Sequence, residues 1–256
     1  MVDAADCVKE PAWISGSGAS EVVRVVNFPD MDESEVEGAA RFEAEEMVSR
    51  DISEMDVDYD LIEKTEQGDL RVLVAASPRK LNDAKMALLK DAGLNCQGVT
   101  TAVAALTASF QHAAHPESQG SVILRLGEKH CNMVVLNEKQ PRLLRMMHNG
   151  APALENDEDN EDEIDNCIAR LTTSVQRSIQ YEAREVPGVN DYTLYLCGES
   201  SGAPGLKQGL TESLGTSVYY FDPFKGLELH CEVPEDPVER SSYALACGAA
   251  LMGEAQ

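Results

Sequence analysis

Between residues 121 and 147 three short apolar runs follow one another across short turns: Ser121–Leu126, Cys131–Leu136 and Arg142–Met147. Runs of this length and spacing read as an antiparallel meander. The chain then changes pattern. A helix carries Ile164, Cys167, Ile168, Leu171, Val175 and Ile179 on one stripe. A strand at Thr193–Cys197, a helix at Pro204–Leu214, a strand at Val218–Phe221 and an apolar helix at Ser241–Met252 complete it. The order β-β-β-α-β-α-β-α restricts the fold sharply. Hairpins pair the first strands antiparallel, and helical crossovers return the later ones parallel, so a mixed sheet lies between helices.

The first half is predicted from its local signals. Val22–Phe28 is β-branched and reads as a strand stopped by Pro29 and Asp30. Asp32 and Glu35 form a capping-box pattern for a helix to about Met47, with Val36, Ala39, Ala40, Phe42 and Met47 on its apolar side. Residues 55–62 alternate Val57, Tyr59 and Leu61 against acids, as a strand does. Leu70–Ala76 is nearly all apolar and predicts a strand buried on both faces. Ser77-Pro78 opens a helix with Leu81, Ala84, Leu88 and Leu89 at helical spacing, which Gly93 ends. A short strand at Leu94–Gly98 and a helix at Thr101–Gln111 make this stretch a β-α-β-α unit. Residues 1–19 lack a pattern and are expected to be poorly ordered. The expected organisation is 1–19, a strand-helix-strand subdomain at 20–66, the rest of a first domain at 67–117, and a second domain at 118–256 with an acidic loop at 150–163.

Charge sets limits on partners. Of 256 residues, 45 are acidic and 21 are Lys or Arg, for a formal charge of -24. That charge repels phosphate backbones and anionic lipid, which argues against nucleic acid or a membrane surface as a main partner. It is unevenly placed. Residues 30–60 hold thirteen acids and two arginines, and residues 155–165 hold eight acids and no base. Both are places where a basic segment could dock, although an acidic run is more often a solvated loop. The seven cysteines include no CxxC pair, so neither a zinc knuckle nor a redox pair is signalled, and a reducing, cytoplasmic setting is expected. Val99–Phe110, the longest weakly polar stretch, is too short to span a bilayer. Any membrane contact is therefore expected through a partner, with the protein peripheral to it.

One turn carries chemical interest. Cys197-Gly198-Glu199-Ser200-Ser201-Gly202-Ala203-Pro204-Gly205 joins a strand to a helix, and its three glycines allow a phosphate or an adenine ring to approach closely. The same turn holds Gly198-x-Ser200-x-Gly202, the nucleophile-elbow pattern, with Asp222 and His230 as the acid and base a serine hydrolase would need. A meander instead of parallel units before it weighs against that alternative. His112 and His115 share a helix face without a third ligand nearby in sequence, so no metal is expected.

Taken together, these blocks resemble one family. VVRVVNFPDM (22–31) before ARFEAEEM (40–47), LVAASPRKL (73–81) before ALLKDAGL (87–94), then RSIQYEAR (177–184), LYLCGESSGAPGL (194–206) and FDPF (221–224) are similar, in order, to blocks of the PilM-type actin-like proteins of type IV pilus and type II secretion assembly. The resemblance implies an actin-like, RNase-H-like α/β fold, with the first half incomplete at its N-terminus because the strand carrying DIGSS is missing. It also implies where a nucleotide would bind. The second phosphate loop, normally D-I-G-x-x-x-T, corresponds to Arg125, Gly127 and His130. The adenosine turn corresponds to Gly198, Glu199, Gly202 and Gly205. Arg125 stands where an acid serves Mg²⁺, and an arginine cannot bind that cation. Glu199 crowds an adenine and repels phosphate. The expectation is therefore a non-enzymatic scaffold with a degenerate nucleotide site and no ATP or Mg²⁺. The alternative is an actin-like ATP-binding protein or ATPase with non-standard loops. The resemblance further implies that a cytoplasmic tail of an inner-membrane, PilN-type protein binds near Val22, Arg24, Val26, Phe42, Glu43 and Glu46, with self-association as a second mode.

Overall fold

The computed structural model describes residues 11–16, 21–113, 120–127, 130–147, 161–185 and 192–253. The chain divides into two compact units, Met1–Ala105 with Ala249–Gln256, and Leu106–Gly248.

In the first unit β2 (Val22–Phe28), β3 (Met55–Lys64) and β4 (Leu70–Pro78) form an antiparallel sheet in the order β2-β4-β3. Helix α1 (Glu33–Met47) covers one face. Its start is fixed by the expected residues: the Asp32 N–H donates to Glu35 Oε2 at 3.1 Å. Val36, Ala40 and Ala44, at helical spacing, bury against Val72, Val74 and Ala76 of β4. The small alanines let the helix lie close to the sheet.

Several expectations change here. β4 is not buried on both faces. Leu70, Val72, Val74, Ala76 and Pro78 face the core, while the residues between them are half-buried. Its apolar run serves an antiparallel strand covered by a helix on one side only. Phe42 is not on the apolar side of α1; it is 66% exposed. The Ala40–Ala44 ridge takes the sheet, and Phe42 stands about 200° round the helix from Ala40. On α2 (Arg79–Asp91) Leu81 and Leu89 are half-buried, whereas Ala84 and Leu88 are exposed.

The β-α-β-α unit is also rearranged. β5 (Asn95–Thr101) does not join β4; it pairs in parallel with β1 (Pro11–Gly16). So residues 11–16, expected to be poorly ordered, form a strand. Trp13 anchors it by lying over Gly98, where any side chain would run into the indole ring. Six residues bounded by Pro11 and Gly16 give no periodic signal, and only a partner 84 positions away supplies the pairing. Residues 1–10 and 17–20 of that expectation lie outside the described residues.

The division between the units falls within α3 (Ala102–His112), not at residue 118. In the second unit β6 (Gly120–Leu126), β7 (Cys131–Asn137) and β8 (Gln140–Met147) form the expected meander. β9 (Tyr192–Cys197) and β10 (Val218–Tyr220) add in parallel, giving the order β10-β9-β6-β7-β8. Val122, Leu124 and Leu126 of β6 pack with Cys167, Ile168, Leu171 and Val175 of α4 (Glu161–Glu185) and with Leu206 and Leu210 of α5 (Leu206–Leu214). On the opposite face Phe110 meets Tyr195 edge-on, 5.1 Å between centroids, and Phe221 at 5.7 Å.

The last predicted helix is two: α6 (Pro237–Ser242) and α7 (Ala244–Leu251). Asp236 starts α6 by accepting the Glu239 N–H at 2.9 Å. Of the acidic run, residues 161–165 belong to α4 and residues 155–160 lie outside the described residues, as do His115 and His148.

Leu124 is fully buried at the centre of the sheet. Leu124→Ala is expected to lower stability by about 2–5 kcal/mol in a urea titration, because the sheet cannot collapse into the space left behind.

Candidate functional site

β6 and β9 are adjacent and parallel, with Arg125 opposite Cys197. Their C-terminal turns therefore lie side by side, at the end of a parallel pair where α/β sheets commonly bind ligands. In the first turn the Gly127 N–H donates to His130 O at 3.1 Å. Between the turns the Ser200 N–H donates to Leu126 O at 3.1 Å. The register thus brings Arg125 and Gly127 beside Gly198 and Glu199, with His130 bonded back to Gly127.

The chemistry at this junction is dominated by an ion pair. Arg125 Nη2 lies 3.1 Å from Glu199 Oε2 and 3.3 Å from Oε1. The arginine side chain is largely enclosed, at 12% exposure, while the glutamate remains half open. In the sequence the two are separate departures, Arg125 from the second phosphate loop and Glu199 from the adenosine turn. In the fold they complement one another. Burial pushes the Cys197 thiol up to about 12, with Arg125 pulling it down and Glu199 adding to the rise, so it is an inert core thiol.

Gly198 has φ +92°, and a Cβ there would sit 2.6 Å from Leu126 O. Gly202 faces α6, where a Cβ would sit 2.6 Å from Val238 Cγ1. Gly205, at φ +75°, is the N-cap of α5 and faces open space. The three glycines therefore serve a left-handed turn, a helix contact and a cap.

The hydrolase alternative does not survive this geometry. Ser200 is buried, and the neighbouring Ser201 Oγ donates to Gly198 O at 2.7 Å. Asp222 pairs with Arg240 at 3.3 Å and accepts the Phe224 N–H. His230 is 83% exposed, with Glu228 at 3.8 Å. The acid is committed to Arg240, the histidine stands in solvent, and neither is among the described hydrogen bonds of Ser200. His112 Nδ1 lies 2.9 Å from Ala108 O on its own helix. Among the described residues no group of three or more His, Cys, Asp or Glu could hold a metal ion.

The second candidate surface is in the first unit. β2 lies at the edge of its sheet, and its outer side pairs with no described strand. Val22, Arg24 and Val26 are in register with Ala76, Val74 and Val72, so they share the face that α1 covers. The helix lies mainly over β3 and β4. Arg24 is exposed and Val22 half-buried, whereas Val26 packs into the core cluster. Phe42, Glu43 and Glu46 form one flank of α1 by helical spacing. The six candidates thus lie on two elements, three on the strand and three on the helix.

The second unit's strand order, with β7 antiparallel to the rest, is the RNase-H-like arrangement. Among solved structures, the chain is similar to one described as a PilM-PilN type IV pilus biogenesis complex. The likeness has a TM-score of 0.80 at 22% identity and covers 99% of this chain and 82% of that one. The fold is actin-like. A protein from Bacteroides thetaiotaomicron with an actin-like ATPase fold and unknown function follows, at TM-score 0.47, 11% identity and coverage of 84% and 69%. The cytoplasmic domain of EpsL, an inner-membrane component of the Vibrio cholerae type II secretion system, gives 0.43, 16%, 87% and 80%. At these scores the last two add nothing to the fold assignment. No protein-family model and no curated protein sequence matches the chain. No helix among the described residues is long and apolar enough to cross a membrane.

The two left-handed glycines separate backbone strain from crowding. Gly205→Ala is expected to cost about 1–2 kcal/mol, the strain alone. Gly198→Ala is expected to cost about 3 kcal/mol or more, because the methyl also meets the Leu126 carbonyl. Urea midpoints of the two variants, compared directly, test the difference.

Proposed function

We infer that the chain is a cytoplasmic, non-enzymatic scaffold of a type IV pilus or type II secretion-like inner-membrane complex, binding the cytoplasmic tail of a PilN-type membrane partner. The observation that carries this reading is the likeness along nearly the whole chain to the PilM-PilN complex. The outer edge of β2, which pairs with no described strand, supports it, because an extended peptide can add to such an edge as a further strand. The α1 flank supports it too: Phe42 is a large apolar side chain exposed beside Glu43 and Glu46. An isolated exposed aromatic amid acids suits a tail that combines apolar and basic residues.

The non-enzymatic part rests on the two turns. The position expected to serve Mg²⁺ holds an arginine, and that arginine already has its anion in Glu199. Phosphoryl transfer needs a group that holds Mg²⁺ and one that orients the attacking water, and an arginine paired with a carboxylate supplies neither at this position. An actin-like ATP-binding protein is the second reading, favoured by the paired glycine turns at the strand ends. Self-association is an added mode that a solution mass measurement reads directly.

Titration with a synthetic PilN-type tail peptide and with millimolar ATP·Mg²⁺, side by side, tests both readings. The peptide is expected to bind saturably, with Phe42→Ser weakening it by about tenfold, roughly 1.4 kcal/mol. Replacing Glu43 and Glu46 together by lysine is expected to weaken it further and to reduce its salt dependence. ATP·Mg²⁺ is expected to leave the melting temperature unchanged. A rise with nucleotide and no response to the peptide would favour the ATP-binding reading instead.

A further inference from the structure

Arg125 and Glu199 also account for each other's presence. Arg125 leaves the last turn of a strand whose other residues are buried, and its guanidinium is itself largely enclosed. An enclosed guanidinium must find an anion, because an unpaired charge in a dry site is strongly destabilising. The anion comes from the adjacent turn. Glycine makes room for it on both sides. A Cβ at 127 would lie 3.0 Å from both Arg125 Nη1 and Glu199 Oε1, and one at 198 would lie 3.0 Å from Arg125 Cγ. Next to the pair, the bond from the Ser200 N–H to Leu126 O joins the two turns through the backbone. Arg125 and Glu199 have each other as their ion-pair partner among the described residues.

A ligand seated at the ends of two parallel strands touches both turns and so ties them together. We propose that in this chain the Arg125–Glu199 pair is that tie. Glu199 acts as an internal anion, seated on Arg125 between two glycines, and holds the turns in place with nothing bound. This inference rests on the reading of the chain as a scaffold that does not use nucleotide. It adds the reason such a scaffold can dispense with one: the second unit keeps its turn arrangement at any nucleotide concentration.

Hydrogen exchange at the Ser200 amide, measured on the full chain, reads the tie directly. Glu199→Gln keeps the size and removes the charge at a half-open position, so the fold tolerates it. The Ser200 amide is expected to exchange about three- to fivefold faster in that variant, the range of a partly exposed ion pair, with Ile123 and Leu196 amides unchanged. The double variant Arg125→Gln with Glu199→Gln is expected to exchange no faster than Arg125→Gln alone, since the second change removes nothing further. Unchanged exchange in Glu199→Gln, or additive effects in the double variant, would overturn the tie. So would a tenfold slowing of Ser200 exchange in the wild-type chain on adding ATP·Mg²⁺, and that result would remove the nucleotide-free reading with it. Failure of the tie without any nucleotide effect leaves that reading standing.

Discussion

β6 is the strand on which the second unit turns. It bonds to β7 on one side in antiparallel register and to β9 on the other in parallel register. One of its faces feeds the cluster under α4 and α5, and the other meets the aromatic group of Phe110, Tyr195 and Phe221. A strand bonded on both edges and covered on both faces has no freedom of register, since a one-residue slip would exchange the two faces. That fixed register places Arg125 opposite Cys197 and hence puts the turn after β6 against the turn after β9. The candidate site is a consequence of the pairing.

The first unit obeys a looser rule. Its three-stranded sheet is covered on one face by α1, through a ridge of Val36, Ala40 and Ala44. Such a sheet retains a half-open face and an unpaired outer edge on β2 among the described strands. These features carry the proposed partner role, while the second unit's sheet, whose central strands β6 and β7 are almost wholly buried, carries the ion pair. The distribution of charge follows the same division. Thirteen acids in residues 30–60 surround α1 and β3, so the surface with room for a peptide is also the most acidic described part of the chain.

Much of this is legible in the sequence. The meander, the stripe on α4, the capping pair Asp32 and Glu35, and the glycine turn after β9 all rest on neighbours a few residues apart, and local patterns report local geometry. The departures have a common cause. β1 leaves no signal because its pairing partner is β5, far along the chain, and its own six residues have no period. β4 reads as doubly buried because an apolar run reports hydrophobicity and not the number of layers packed against it. Phe42 reads as inward because helical spacing gives a set of faces, and only the position of β3 and β4 selects which one is buried.

At the site, the sequence by itself determined the residue types: an arginine and a glutamate in two glycine-bearing turns, an acidic helix, and an alternation of elements that closes into an actin-like fold. It could not show that Arg125 and Glu199 meet. They are 74 positions apart, and each alone reads as a defect, one in a phosphate loop and one in the adenosine turn. Tertiary structure decided that they are one feature, because parallel pairing of β6 with β9 aligns the two strand ends and brings the Glu199 carboxylate within reach of an enclosed guanidinium. It decided likewise that Gly198-x-Ser200-x-Gly202 is not a nucleophile's elbow, since Ser200 is buried, Asp222 pairs with Arg240 and His230 stands in solvent. Opposite charges far apart in sequence acquire meaning only when the sheet fixes the distance between them.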